Sequence, residues 1–172
     1  FKITRQAVNQ HLKRLVDEGA LVASGQTAGR TYRLSAIAEA TKSYPLAGLA
    51  EDVVWRNDVA PFLGALPKNV LDIWHYGITE MLNNAIDHSG GTTVVIHMIK
   101  TAADVQIGIL DDGVGIFRKI QAALGLLDER HSVLELAKGK LTTDPARHTG
   151  EGIFFSSRLF DHFAILSGDT CF

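Results

Sequence analysis

Ile78-Thr79-Glu80-Met81-Leu82-Asn83-Asn84-Ala85-Ile86-Asp87-His88-Ser89 is the stretch around which the chain is organised. From Val70 the apolar residues fall at Val70, Leu71, Trp74, Ile78, Met81, Leu82, Ala85 and Ile86, a three-to-four spacing that predicts a helix with one continuous buried stripe. Glu80, Asn84 and Asp87 then share another face. Glu and Asn four apart project from adjacent turns, within reach of one small ligand.

Two glycine-punctuated stretches lie further along. After the apolar run Val105 to Leu110 stands Asp111-Asp112-Gly113-Val114-Gly115-Ile116, a strand ending in an acidic turn whose glycines allow close backbone approach. His148-Thr149-Gly150-Glu151-Gly152-Ile153-Phe154 opens a predicted helix, Ile153 to Phe160, whose free N–H groups and dipole favour an anion such as phosphate. Taken singly, Glu80 and Asn84 read as well as a solvated helix face, Asp111 to Gly113 as a plain turn, and Gly150 as a loop before a cap. In their joint order, E-x-x-x-N, D-x-G-x-G and G-x-G resemble the nucleotide-binding boxes of the histidine kinase, gyrase, Hsp90 and MutL-type ATPases, over roughly Pro61 to Phe172.

That resemblance implies a fold and a set of roles. The fold would be an α/β (α+β) two-layer sandwich, the Bergerat ATP-binding fold with a mixed sheet, preceded by a small winged-helix element. In the family pattern Asp111 accepts the adenine amino group, while Gly113 and Gly115 remove side chains that would block base and sugar. Asn84 matches the magnesium ligand, a hard oxygen donor that shares the ion with phosphates and waters. Glu80 matches the general base that activates a water or hydroxyl. Thr149, Gly150 and Gly152 match the phosphate cradle before the last helix. The implied cofactors are ATP and Mg2+. One departure is Asp87, which stands where many kinases of the family carry Lys or Arg; charge neutralisation would fall to magnesium or to Arg147, and His88 becomes a further nucleotide contact.

The remaining segments are read around this core. Thr4 caps a helix whose apolar positions are Val8, Leu12, Leu15 and Val16, with Gly19 as its stop. Ala20 to Ala23 and Thr31 to Leu34 alternate as two strands about the turn at Ser24 to Gly29. A helix followed by such a hairpin resembles a winged helix-turn-helix. Opposite the stripe lie Arg5, Gln6, Asn9, Gln10 and Lys13, side-chain types that read phosphates and base edges, with Arg30 and Arg33 on the wing. Duplex DNA is the implied partner. The alternative is a basic helix and hairpin that caps the second domain or mediates dimers. A winged helix has two helices before the recognition helix, and this chain opens without Met, so a preceding segment is expected.

Residues 37 to 60 read as a connector broken at Tyr44-Pro45-Leu46 and Gly48, with a short helix over Asp52 to Phe62 and Trp55 and Phe62 docking onto the next domain. The expected domains are therefore 1–36, the connector 37–60, and 61–172. Thr92 to Ile99 and Val105 to Leu110 read as paired antiparallel strands. Residues 117–149 resemble the family's ATP lid: Phe117 to Leu127 is helical in spacing, and Ser132-Val133-Leu134-Glu135 reads as a capping box opening a second helix that ends near Gly139. His162 to Ser167 reads as a strand.

Charge supports this division. Residues 1–36 hold six basic and two acidic side chains, a balance of +4, while the remainder carries −6 of the chain's net −2. A basic front end fits a polyanion partner. With 172 residues there is enough chain for one good core and a smaller module. No apolar run approaches the roughly eighteen residues that span a bilayer, no secretory signal opens the sequence, and the single cysteine, Cys171, can form no internal disulfide. The expectation is a cytoplasmic protein with no membrane partner, acting in ATP-linked transcriptional or signalling control. Two other readings stay open: a protein serine or histidine kinase resembling the anti-sigma-factor kinases, acting on a separate partner, and a non-hydrolysing module in which ATP only orders the lid. Because His11 precedes Leu and Lys rather than an acidic neighbour, a complete autophosphorylating sensor kinase is not expected.

Overall fold

The computed structural model describes residues 3–139 and 151–172. Over these residues the protein is a mixture of helices and small antiparallel sheets. It divides into two compact units, Phe1–Lys42 with Ile96–Gly108, and Ser43–Val95 with Ile109–Phe172.

In the first unit, α1 (Arg5–Asp17) starts where the Thr4 side chain accepts a hydrogen bond from the Ala7 N–H at 3.2 Å. That bond satisfies one of the donors a helix start leaves free. The helix ends before Gly19, whose φ of 75° suits the left-handed stop. Val8, Leu12, Leu15 and Val16 are half-buried, whereas Arg5, Gln6, Asn9, Gln10 and Lys13 are exposed. β1 (Leu21–Ser24) and β2 (Thr31–Leu34) pair antiparallel, Leu21 opposite Leu34 and Ser24 opposite Thr31, and the Ser24 and Thr31 hydroxyls bond across the pair at 2.8 Å.

The larger sheet has the order β3-β4-β5, with β3 at Ala38–Pro45, β4 at Thr93–Lys100 and β5 at Val105–Asp111. β3 comes from the stretch read as connector. Ile37 donates to the Lys100 carbonyl at 2.7 Å and Leu46 to that of Thr92 at 2.9 Å, so β3 starts where β4 ends and runs antiparallel to it. The same logic holds for β5: Thr101 donates to Asp104, and Asp112 to Thr93. The expected mixed sheet is thus corrected, among the described residues, to antiparallel pairings, because a tight turn at Thr101 to Asp104 can join only antiparallel neighbours. Along β4 the side chains alternate, with Val94, Ile96 and Met98 buried on one face.

In the second unit, α2 (Glu51–Val54), a π turn (Trp55–Val59) and α3 (Ala60–Leu63) form one irregular helical run that buries Val54, Val59 and Leu63. Trp55 meets the His75 ring edge-on at 4.9 Å, as expected of a docked segment. Pro67 precedes the long α4 (Lys68–Asn83), which passes into a π turn at Asn84–His88. Ile78, Leu82 and Ala85 are buried, the stripe the spacing predicts.

Beyond β5, α5 (Ile116–Leu124), α6 (Glu129–Ala137) and α7 (Gly152–Leu159) close a second apolar cluster. Phe117, Ile120, Leu136 and Ile153 form its centre, with Met81 and Phe163 packed against it. Two sequence readings change here. Ser132 does not cap α6: Asp128 does, accepting from the His131 N–H at 3.1 Å, while Ser132 is fully buried inside the helix and donates to the Phe117 carbonyl at 2.8 Å. The local pattern of a capping box was overruled by a tertiary acceptor. The described part of the 117–149 segment, residues 117–139, holds the two expected helices, and its Phe117, Ile120 and Leu136 are core residues. In place of one strand over 162–167, there is a short hairpin of β6 (Leu166–Ser167) and β7 (Thr170–Cys171).

Candidate functional site

α4 is the element on which the separated motifs converge. Its end meets the acidic turn: the Ser89 carbonyl accepts from the Val114 N–H at 3.1 Å, and a methyl group on Gly113 would lie 2.7 Å from both the carbonyl carbon and Cβ of Ser89. Gly113 is therefore required by protein packing against Ser89. Gly115, with a φ of 86°, stands against the Ser167 hydroxyl, so it too answers to the protein's own packing as well as to left-handed backbone.

Within the turn the two aspartates divide the work. Asp112 accepts from the Thr92 N–H at 2.6 Å, the Thr93 N–H at 2.9 Å and the Thr92 hydroxyl at 2.7 Å. These donors, the Thr93 amide foremost, hold its carboxyl at a pKa of about 2. Asp112 is the clamp that ties the turn to the start of β4, and sequence reasoning missed that role. Its partners are backbone amides, which leave no mark in the residue types. Asp111, exposed at the end of β5, accepts one bond on Oδ1 from the Gly113 N–H at 2.9 Å, and Oδ2 has no protein partner among the described residues. A carboxylate so placed is oriented by its own turn and open to an outside donor.

Ser89 and Gly91 were also missed as members of this corner. The Ser89 hydroxyl accepts from the Gly91 N–H at 3.0 Å, and a side chain on Gly91 would collide with Asp112. The doubled Gly90-Gly91 is the one signal in the sequence that marks this corner.

One turn back along α4, Asn84 is half-buried, and its Nδ2 is fully buried with no hydrogen-bond partner among the described residues. An amide nitrogen left in that state costs about 1–3 kcal/mol, which an external acceptor would offset. The π turn starts at Asn84. Asp87, within that turn, is exposed. His88 is half-buried.

Glu80 meets the second glycine motif. A methyl group on Gly152, the first residue of α7, would strike the Glu80 carboxylate, with Cδ at 2.9 Å. Burial first, then the charges of Glu80 and Glu151, push the Tyr76 phenol above its ordinary pKa. Both carboxylates are thus close to Tyr76, and the start of α7 is an acidic corner.

Arg147, Thr149 and Gly150 lie outside the described residues, as does the rest of the expected lid beyond Gly139. Among the described residues no group of three or more His, Cys, Asp or Glu side chains could hold a metal ion. A magnesium ion held by the Asn84 amide and by phosphates would need no such group. An open cavity of about 440 Å3, lined by Asp128, Glu129, Arg130, Gly168, Asp169 and Thr170, contains none of the candidate nucleotide-site residues. No helix among the described residues is long and apolar enough to cross a membrane.

The residues expected to meet DNA keep to the first unit. Arg5, Gln6, Asn9, Gln10 and Lys13 line the exposed side of α1, Arg33 is exposed on β2, and Arg30 stacks over the Tyr32 ring at 5.5 Å. Comparison with protein-family models, with curated proteins and with solved structures gives no match.

Proposed function

We propose that the second unit binds ATP with magnesium and that the first binds duplex DNA, making the protein a nucleotide-dependent regulator of transcription or signalling. The observation that carries the nucleotide reading is the convergence on α4. The turn bearing Asp111 rests on Ser89, the start of α7 rests on Glu80, and the buried amide of Asn84 lies between these two positions along the helix. Three motifs scattered through the sequence thereby share one support.

The residues present fit the group. Asp111 would accept the adenine amino group on its free oxygen, Asn84 would present its amide oxygen to magnesium and its unpartnered nitrogen to a phosphate oxygen, and α7 would offer its first N–H groups to phosphate. Magnesium supplies charge neutralisation between the phosphate oxygens. Glu80, one turn before Asn84, is the group able to take a proton from a water or hydroxyl. This arrangement is common to hydrolysis, to transfer onto a partner protein and to binding alone. Labelled-phosphate transfer to a co-expressed partner, against simple phosphate release, separates the three.

Calorimetry of ATP and GTP binding in magnesium tests the reading. ATP should bind more tightly, since guanine offers a carbonyl oxygen where adenine offers an amino group, and a mismatched buried pair costs about 1–3 kcal/mol, or roughly 5- to 150-fold. Asp111→Ala should abolish most of that preference. Equal affinities for the two nucleotides in the wild type overturn it.

A further inference from the structure

The N-terminus of α7 already has an anion against it. Glu151 precedes the helix without a side-chain cap bond, so the first N–H groups of α7 are not closed by their own capping residue. The Glu80 carboxylate lies against Gly152, where only a hydrogen on Cα leaves room for it. A negative group beside a helix start is favoured by the free N–H donors and by the dipole, which is the same physics that would hold a phosphate there.

A second observation comes from Ser156. It is 0% exposed, and its hydroxyl has no hydrogen-bond partner among the described residues. A serine within a helix ordinarily turns its hydroxyl to the carbonyl four residues back, and this one does not. Ser156 stands four residues after Gly152, on the same face of α7, and helical side chains lean toward the N-terminus, over the turn that Glu80 touches. At the far end of that face Phe160 packs on Gly77 of α4, so the run Gly152, Ser156, Phe160 is the side of α7 that meets α4. An unused donor thus stands one helical turn from a carboxylate.

We propose that Glu80 is an internal stand-in for phosphate: it occupies the start of α7 in the nucleotide-free protein, and an arriving phosphate displaces it toward the Ser156 hydroxyl. The site is thereby held against weak anions and yields to a polyphosphate, whose several charges outcompete one carboxylate. The displaced Glu80 gains a donor that is idle in the resting state. This rests on the nucleotide reading for its physiological ligand, and on the residues of α4 and α7 alone for the anion exchange.

The test titrates wild type, Glu80→Gln and Ser156→Ala with sodium tripolyphosphate and, separately, with magnesium-ATP, by calorimetry, alongside urea unfolding. Glu80→Gln keeps shape but removes the competing charge, so it should bind tripolyphosphate about 2- to 30-fold more tightly, the range a charge at a helix end is worth. Ser156→Ala should move two readouts in opposite directions. Its urea midpoint should rise, because a buried unpaired hydroxyl is gone, and its polyphosphate affinity should fall several-fold, because displaced Glu80 has lost its donor. A merely structural serine would not couple the two. If wild type binds ATP and Glu80→Gln binds ATP and tripolyphosphate no more tightly, the stand-in is refuted and the nucleotide reading survives. If tripolyphosphate tightens in Glu80→Gln but ATP gains nothing over it, the adenine reading fails and the stand-in survives. Absence of binding by either ligand to every variant overturns both.

Discussion

Replacing Gly113 with alanine isolates the contact that joins the acidic turn to α4. The added methyl would lie 2.7 Å from the carbonyl carbon and Cβ of Ser89, and would overlap the Ser89 carbonyl oxygen outright. Ordinary carbon contacts begin near 3.5 Å, so turn and helix must part by about 1 Å. That separation breaks the Val114 N–H bond to the Ser89 carbonyl, now 3.1 Å. The hydrogen bond contributes about 0.5–1.5 kcal/mol net, and overpacking of this kind costs about 1–3 kcal/mol. Gly113→Ala should therefore lose about 2–4 kcal/mol in urea unfolding. Gly48→Ala is the control, because Gly48 has a φ of 72° with nothing within 4 Å of an added methyl, so only the left-handed backbone cost of about 1–2 kcal/mol applies. The two should also differ in binding. Gly113→Ala moves Asp111 away from its place and should lose ATP affinity at least tenfold at temperatures where it is folded, whereas Gly48→Ala should keep it. A Gly113→Ala protein as stable as wild type, with unchanged ATP affinity, would refute the reasoning.

Three further outcomes are expected. Asp112 has its folded pKa lowered from 3.8 to about 2, so the unfolded chain binds more protons in that interval; the stability it contributes is full above about pH 4 and lost as pH falls toward about 2. Asp112→Asn should accordingly show a shallower fall of the urea midpoint across that window than wild type. Binding to duplex DNA should weaken with salt, and removing Arg5 and Lys13 together should lower the magnitude of the log–log slope by about 2, since each phosphate contact contributes roughly 0.9; an unchanged slope would leave the capping or dimer role for α1. Where ATP turnover is measurable, Glu80→Gln should reduce it by about 100-fold or more, and turnover that survives the substitution would remove Glu80 from the role of base.

The sequence by itself determined those features whose causes are local. The α4 stripe, the Thr4 cap, the Gly19 stop, the strands β4 and β5 and the start of α7 follow from periodicity, from small polar residues at helix starts and from glycine at left-handed positions. The residue types of the candidate site were legible for the same reason, as spaced motifs. Tertiary structure decided the rest. β3, Ala-Glu-Ala-Thr-Lys-Ser-Tyr-Pro, has too weak an apolar alternation to mark a strand, and it exists because β4 offers hydrogen bonds to it from far along the chain. Ser132 carries the local signature of a cap, yet it is buried within α6 because the Phe117 carbonyl supplies its acceptor. Gly113 and Gly152 announce only that a side chain is unwelcome. That the excluded volume belongs to Ser89 in one case and to the Glu80 carboxylate in the other depends on which surfaces the fold presses together, and non-local contact of that kind leaves no periodicity in the chain.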